Sequence, residues 1–285
     1  MYARRIRTLL ALAAGLAFAA ASAAPLTVGS KRFTESYILG EIIRQTAQAA
    51  GETTATHSQG LGNTAIVLNA LTSGGIDVYP EYTGTIAKEI LKLDAVPPLS
   101  ELNAKLAPMG LAAGIPLGFN DTYALAVRGD DARAKGLARL SDLRAHPELR
   151  FGLTQEFIGR ADGWPGLKRA YDLPFDTPRG LDHGLAYEAI AGRQVDVIDI
   201  YSTDAKIGRY GLVVLEDDKR YFPPYDAAFV VRAEAWTRPE VRQFLESLAG
   251  KIDAAAMRKM NAQVDKEKRR PEDVAKEFLR GLARR

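Results

Sequence analysis

The stretch GIDVYPEYTGT (residues 75–85) is repeated later in the chain as QVDVIDIYSTD (residues 194–204), and the two align without a gap. In each copy a strand-like apolar run leads to a tyrosine, Tyr82 in the first and Tyr201 in the second, where a helix would begin. Ligands of open α/β sheets bind beyond the carboxyl ends of the strands. The repeat therefore predicts two similar α/β units, each presenting one tyrosine at an equivalent place.

Such a repeat can also mean only that two strand–turn segments share a pattern, and this alternative stays open. The aspartates before the two strands match as well, Asp77 with Asp196. Within the first copy we expect Tyr79 to lie in the core, Pro80 to end the strand and Glu81 to belong to the turn. The reason is that proline cannot donate a backbone hydrogen bond to a strand ladder.

Strand-like and helix-like segments alternate along the chain, which is typical of an α/β fold with parallel strands. The predicted strands are Leu26–Gly29, Thr53–His57, Ile76–Tyr79, Arg150–Leu153 and Val195–Ile200. The predicted helices are Thr34–Ala50 with Thr34 as N-cap, Asn63–Leu71, and several from Arg238 onward that start near Pro239 and Pro271.

Two further segments resemble each other: DTYALAVRGD (residues 121–130) and PPYDAAFVVRAE (residues 223–234) both contain a tyrosine and reach a Val-Arg pair. Between them lies a stretch with its own α/β pattern. A unit inserted between two crossing strands gives two lobes joined by a double hinge. We therefore predict lobe one at 25–124 plus 227–285, and lobe two at 125–226.

The first 24 residues have the features of a secretory signal peptide. Arg4, Arg5 and Arg7 give a positive start, Leu9–Ala21 is an apolar run, and small residues precede Pro25. The run is shorter than the roughly 20 residues that a membrane-spanning helix needs. We therefore expect cleavage near residue 24 and export to the periplasm, rather than a buried N-terminal helix.

Composition argues against several classes of function. Without the three arginines of the predicted signal peptide, 38 basic side chains become 35, which equals the 35 acidic ones, so no nucleic-acid partner is expected. The absence of cysteine removes thiol nucleophiles, disulfides and thiolate metal sites. The three histidines lack metal-ligand spacing, and no G-x-S-x-G or H-E-x-x-H motif occurs. We predict that the protein is not an enzyme and uses no metal or cofactor.

Four tyrosines lie where they can meet between the lobes: Tyr82 and Tyr201 at strand ends, and Tyr123 and Tyr225 in the crossing segments. Several ring faces around one point bind a cation that has no proton to donate, such as a trimethylammonium group. A single tyrosine is more often a half-buried core residue with a bonded hydroxyl. Four at matching places favour a cage.

A ligand with a second, negative end would also need hydrogen-bond donors. Lys31 follows the first strand near a helix start, which itself favours an anion. Arg160 follows a strand of lobe two and can form a fork with a carboxylate, and Thr85 offers a hydroxyl three residues past Tyr82. The alternative for Lys31 and Arg160 is a solvated surface charge.

These residues carry a resemblance to a known family. The stretches GSKRFTES, YPEYTGT, DTYALAV, EFIGRADGWPGL, VDVIDIYSTD and DDKRYFPPYDAAFVVR resemble the glycine betaine/choline family of ABC-transporter substrate-binding proteins, over nearly the whole chain after the predicted signal peptide. The resemblance implies a two-lobed periplasmic-binding-protein fold of type II, with two crossing hinge strands. It also implies a tyrosine cage for the quaternary ammonium and three donors for a ligand carboxylate. The implied site residues are Tyr82, Tyr123, Tyr201, Tyr225, Lys31, Thr85 and Arg160.

The expected function is that of a monomeric receptor that traps a quaternary ammonium osmoprotectant, closes around it and docks on an ABC permease in the inner membrane. Lys31 and Arg160 favour a zwitterion such as glycine betaine over choline. The alternative within the fold is a receptor for another small polar solute, such as an amino acid. A secreted hydrolase would need a catalytic triad that the sequence does not show, and a signalling role for the loaded receptor stays open.

Overall fold

The computed structural model describes residues 25–51 and 54–284. The predicted signal peptide, residues 1–24, lies outside the described residues, and so does Thr53, the predicted start of the second strand. The strands are β1 (Thr27–Gly29), β2 (Thr56–Ser58), β3 (Val78–Tyr82), β4 (Leu111–Ala113), β5 (Tyr123–Arg128), β6 (Phe151–Thr154), β7 (Arg179–Leu181), β8 (Val197–Tyr201), β9 (Leu212–Val214) and β10 (Ala227–Arg232).

The structure contains the helices predicted from the sequence and several more. They are α1 (Thr34–Ala49), α2 (Thr64–Thr72), α3 (Thr83–Thr85), α4 (Leu99–Leu106), α5 (Gly129–Lys135), α6 (Gln155–Gly159), α7 (Trp164–Tyr171), α8 (His183–Ala191), α9 (Lys206–Arg209), α10 (Ala233–Trp236), α11 (Pro239–Ser247), α12 (Ala254–Asp265) and α13 (Pro271–Leu282). A π-helical turn, Ile86–Ile90, continues α3, and short 3₁₀ turns cover Ala107–Met109 and Leu140–Ala145.

The strands form two five-stranded sheets of the same design. The order is β2-β1-β3-β10-β4 in one sheet and β7-β6-β8-β5-β9 in the other. In both, the central strand is the one that carries the repeated sequence, β3 in the first sheet and β8 in the second. This confirms the predicted α/β architecture with two lobes.

The repeated aspartates hold equivalent positions in the two sheets. Asp77 accepts the backbone N–H of Thr27 at 2.8 Å and forms an ion pair with Arg232, the last residue of β10. Asp196 accepts the backbone N–H of Arg150 at 3.0 Å and forms an ion pair with Arg128, the last residue of β5, at 2.6 Å. Each aspartate therefore ties its own strand to the arginine of the neighbouring crossing strand.

The chain passes between the sheets twice, once between β4 and β5 and once between β9 and β10. The two connections are bonded to each other: Asp121 N–H donates to the Tyr225 carbonyl at 3.0 Å, and Ala227 N–H donates to the Phe119 carbonyl at 3.0 Å. Both crossings therefore run side by side, as the double hinge requires. The lobe limits at residues 124 and 227 stay a prediction.

One strand in each lobe departs from the parallel arrangement expected of the α/β pattern. β10 runs antiparallel to β3 and β4, and β5 runs antiparallel to β8 and β9. Both are crossing strands, which enter their sheet from the other lobe instead of following a helix on the same sheet. The remaining pairs, β1 with β2 and β3 and β6 with β7 and β8, are parallel as expected.

Pro80 does not end its strand. β3 continues to Tyr82, and Pro80 stands opposite Phe229 of β10. The Asp77 carbonyl accepts from the N–H of Arg232 in β10, and the Thr83 N–H donates to the carbonyl of Asp226, just before β10. Backbone groups of alternate residues point to the same side of a strand, so this side of β3 belongs to the odd-numbered residues. The nitrogen of Pro80 therefore points to the other side, where β1 has already ended, and no ladder bond is lost.

The C-terminal helices pack on lobe one. Residues of α11, α12 and α13 share one buried apolar cluster with Ile38 and Ile42 of α1, and this cluster continues into lobe two and includes three of the four cage tyrosines. Pro239 and Pro271 are the first residues of α11 and α13, as predicted. The N-cap of α1 is Phe33 rather than Thr34. Among the described residues, no helix has the length and apolar character needed to cross a bilayer.

Candidate ligand-binding site

The four predicted tyrosines converge from both lobes and from the hinge. Tyr82 ends β3, Tyr201 ends β8, Tyr123 begins β5, and Tyr225 lies just before β10. The ring of Tyr123 lies at the centre, 5.2 Å from Tyr201 and 5.5 Å from Tyr225 between centroids. All four line one cavity together with Lys31, Thr85, Phe33 and Asp121. Six of the seven predicted site residues therefore share that cavity.

The cavity is narrow in this arrangement. The centre of a water molecule can occupy a volume of only about 10 Å³ inside it, so the cavity has room for one water molecule. Contacts between the lobes surround it: Thr64 of α2 donates through its N–H and hydroxyl to Glu156 of α6, at 3.0 and 2.6 Å. These bonds hold the lobes together, and the ring of Tyr123 is in contact with those of Tyr201 and Tyr225. A trimethylammonium group requires these rings to separate.

The tyrosines present neutral rings to the cavity. Burial raises the pKa of Tyr82, Tyr123, Tyr201 and Tyr225 above that of free tyrosine, so each phenol keeps its proton at neutral pH. The face of a neutral phenol ring carries negative electrostatic potential. The site therefore attracts a cation without placing a full negative charge on any ring.

Lys31 is buried and already paired. Its Nζ lies 2.7 Å from Oε1 of Glu81 and donates to the Thr64 hydroxyl at 3.3 Å. Glu81 is fully buried in β3, so its prediction as a turn residue was wrong. The strand continues past Pro80, which places the Glu81 side chain under Lys31. Lys31 Nζ also lies 5.3 Å from the centroid of the Tyr82 ring.

Arg160 lies beside the cavity rather than in its wall. Its guanidinium forms a fork with Asp162, at 2.9 and 2.6 Å, and donates to the Thr85 hydroxyl at 3.1 Å. Its carbon Cζ lies 5.5 Å from the centroid of the Tyr123 ring. Asp162 also accepts from the Tyr225 hydroxyl at 2.9 Å, so the arginine supports two rings of the cage. A contact of Arg160 with a ligand carboxylate stays a prediction.

Three residues at the site were not predicted from the sequence. Phe33 packs on Tyr201 with 5.0 Å between ring centroids and lines the same cavity. His183 stacks on Tyr201 at 4.5 Å and is ion-paired with Asp204 at 3.0 Å, which raises the pKa of His183 against the opposing effect of burial. Asp121 lines the cavity as well, and no local pattern marks it. Phe33 and Asp121 do lie inside two of the stretches that carried the family resemblance, GSKRFTES and DTYALAV.

Carboxyl groups outnumber cations around the cavity. Each of Lys31 and Arg160 already has a carboxylate partner within 2.7 Å. Burial raises the pKa of Asp121 well above the usual range, and the neighbouring Glu35 carboxyl raises it further. Burial likewise raises the pKa of Glu35. The raised pKa values favour the neutral forms of Asp121 and Glu35, and the charges of Lys31 and Arg160 are already paired with carboxylates.

Most of the chain matches a known family. The model for the substrate-binding domain of ABC-type glycine betaine transport systems matches residues 24–281. The chain belongs to this family. Proteins of the family bind small ligands outside the cytoplasm and work with ABC permeases, which is a binding role and not an enzymatic one.

Individual relatives support the family and the fold. A glycine-betaine-binding protein of Pseudomonas aeruginosa is 38% identical over an alignment of 296 positions, which covers 97% of this chain and 94% of that protein. An ergothioneine transport permease/ergothioneine binding protein of Helicobacter pylori is 35% identical over 269 residues; they cover 90% of this chain but 48% of that protein, so the chain spans about half of that relative. A solved structure of a glycine betaine/carnitine/choline ABC transporter is 31% identical with a TM-score of 0.67, covering 90% of this chain and 98% of that one. The predicted two-lobed periplasmic-binding-protein fold is confirmed.

Proposed function

We propose that this protein is the periplasmic component of an ABC importer that captures a quaternary ammonium osmoprotectant in a tyrosine cage and delivers it to a membrane permease. The observation that carries the proposal is the convergence of Tyr82, Tyr123, Tyr201 and Tyr225 on one cavity between the lobes. A cation in contact with several ring faces gains up to about 2 kcal/mol for each desolvated face. The names of the relatives, which include glycine betaine and carnitine, point the same way.

In this proposal Tyr82 approaches from lobe one and Tyr201 from lobe two, while Tyr123 and Tyr225 belong to the hinge. Closure then brings all four rings around the ligand. Glycine betaine is the preferred ligand, with choline and related compounds as further candidates. Lys31, Thr85 and Arg160 hold the carboxylate of a zwitterion, and the receptor acts as a monomer in the periplasm after removal of residues 1–24.

Isothermal titration calorimetry tests the cage directly. The purified protein is titrated with glycine betaine, choline, carnitine and ergothioneine, each of which carries a trimethylammonium group, and with proline and glutamine as solutes that lack it. Binding of at least one member of the first set, and none of the second, supports the proposal. No heat with any trimethylammonium compound at millimolar concentration would refute the cage, and binding of the second set alone would establish the amino-acid alternative.

A further inference from the structure

Glu35 joins three parts of the molecule that are distant in sequence. It is the second residue of α1, and 3% of its surface is exposed. Its Oε1 accepts the Tyr82 hydroxyl at 2.7 Å, and its Oε2 accepts the Thr203 hydroxyl at 2.5 Å and Nδ2 of Asn261 at 3.0 Å. One carboxylate therefore contacts a wall of the cage, a loop of lobe two and a C-terminal helix.

Thr203 reaches Glu35 across the gap between the lobes. It follows β8 in lobe two, whereas Glu35 and Tyr82 belong to elements of the lobe-one sheet and its α1 layer. Its N–H donates to Oδ1 of Asp121 in the hinge at 3.0 Å, and its carbonyl accepts from Asn261 at 3.1 Å. Thr203 follows β8 directly, so rotation of lobe two away from lobe one displaces its hydroxyl relative to Glu35.

We infer that Glu35 is a positioning residue that couples the Tyr82 wall of the cage to closure of the lobes. The carboxylate fixes the ring of Tyr82 through its hydroxyl and at the same time receives Thr203 when the lobes meet. Ordering of Tyr82 by a ligand then pre-arranges the acceptor that Thr203 needs. This inference rests on the proposed function only for the identity of the ligand, since the contacts themselves join the lobes without one.

The chain offers near-isosteric variants for each part of this arrangement. Thr203→Val removes the hydroxyl at constant shape, and Thr203→Ser keeps it as the matched control. Tyr82→Phe removes the hydroxyl bond but leaves the ring face. Glu35→Gln replaces the carboxyl acceptor by an amide of the same size. A buried hydrogen-bonding group that loses its partner is unfavourable, so loss of the contact should lower the equilibrium constant for closure by about ten- to hundredfold.

Closure can be followed with two dyes, because the chain has no cysteine of its own. Ala104→Cys on α4 and Ala134→Cys on α5 place one label on an exposed helix of each lobe. Energy transfer between the labels reports the closed fraction, first without ligand and then with saturating choline, and stopped-flow mixing gives the rates of ligand association and dissociation.

We expect Thr203→Val and Glu35→Gln to lower the closed fraction with and without choline, and to raise the dissociation rate about tenfold or more while association changes little. Thr203→Ser should stay within about threefold of the unchanged protein. The effects of Tyr82→Phe and Thr203→Val on the dissociation constant should be less than multiplicative, since both act through one carboxylate. Equal closure in all variants, or strictly multiplicative effects, would overturn the inference. If the unchanged protein binds no quaternary ammonium compound, the proposed function fails, while the ligand-free closed fraction still decides the role of Glu35.

Discussion

Replacement of Tyr201 by leucine tests the cage at a single wall. Tyr201 is the cage tyrosine that is only partly buried, and its ring contacts Phe33, His183 and Tyr123 at 5.0, 4.5 and 5.2 Å. Leucine keeps an apolar side chain there but has no ring face. Tyr201→Phe is the matched control, because it keeps the face and removes only the hydroxyl.

The expected loss follows from the burial of the ring. A cation–π contact contributes about 0.5–1 kcal/mol at an exposed site and about 2 kcal/mol when desolvated. For a partly buried ring we expect about 1–2 kcal/mol, which is roughly a 5- to 30-fold increase in the dissociation constant of choline. Tyr201→Phe should change that constant less than about threefold, because the ring face remains.

The assay compares choline with 3,3-dimethyl-1-butanol, which has the same shape and no charge. Calorimetry with both ligands separates the attraction of the cation to the ring from simple apolar contact. In the unchanged protein choline should bind more tightly than the neutral compound, and Tyr201→Leu should narrow that difference. An equal loss of affinity for both ligands would refute the reasoning, provided that thermal unfolding followed by circular dichroism shows Tyr201→Leu to be folded.

Three further substitutions probe the support of the site and the stability of the fold. Gly84→Ala places a methyl group 2.5 Å from the ring of Tyr225, so we expect at least a tenfold loss of choline affinity by calorimetry; unchanged affinity would mean that the ring moves freely. Arg160→Ala should weaken glycine betaine far more than choline, and equal losses would contradict a carboxylate contact. Burial opposes ionisation of Glu41, but hydrogen bonds from His57 and a neighbouring arginine lower its pKa to about 2. This carboxylate therefore stabilises the fold above the pKa of about 4.5 that it has when unfolded, and the contribution is lost as the pH falls toward 2. Glu41→Gln should lower the free energy of unfolding in urea by about 1–2 kcal/mol at pH 7 and by roughly half of that or less at pH 3; an equal effect at both values would contradict the pairing.

Sequence alone predicts those features of the site that depend on local position in a strand. The repeat places Tyr82 and Tyr201 at the ends of the central strands of two similar sheets, and the structure has them there. The pairing of Lys31 with Glu81 was missed because Pro80 was expected to end the strand before Glu81. Proline is tolerated at that point only because the neighbouring strand stops earlier, which is a property of the sheet and not of the segment.

The contacts that join the lobes have no local signature at all. Glu35 and Thr203 are 168 residues apart, and each is an ordinary polar residue near a helix or strand end. Their meeting depends on how the lobes close and on where α12 presents Asn261. A single sequence holds no pattern from which such a contact follows, whereas the fold brings the three side chains to one point.

The bonded pair of crossings limits how the lobes can move. Asn120 and Asp226 form a bridge between the two connecting segments, and backbone bonds on either side of it join Phe119 and Asp121 to the other segment. Two chain segments that are hydrogen-bonded to each other in this way bend together, and their bonds oppose sliding or twisting of one segment against the other. We therefore expect the lobes to move relative to each other mainly by rotation about one axis through the two connecting segments. A membrane partner that contacts both lobes would then need to sense a single angle to distinguish a loaded receptor from an empty one.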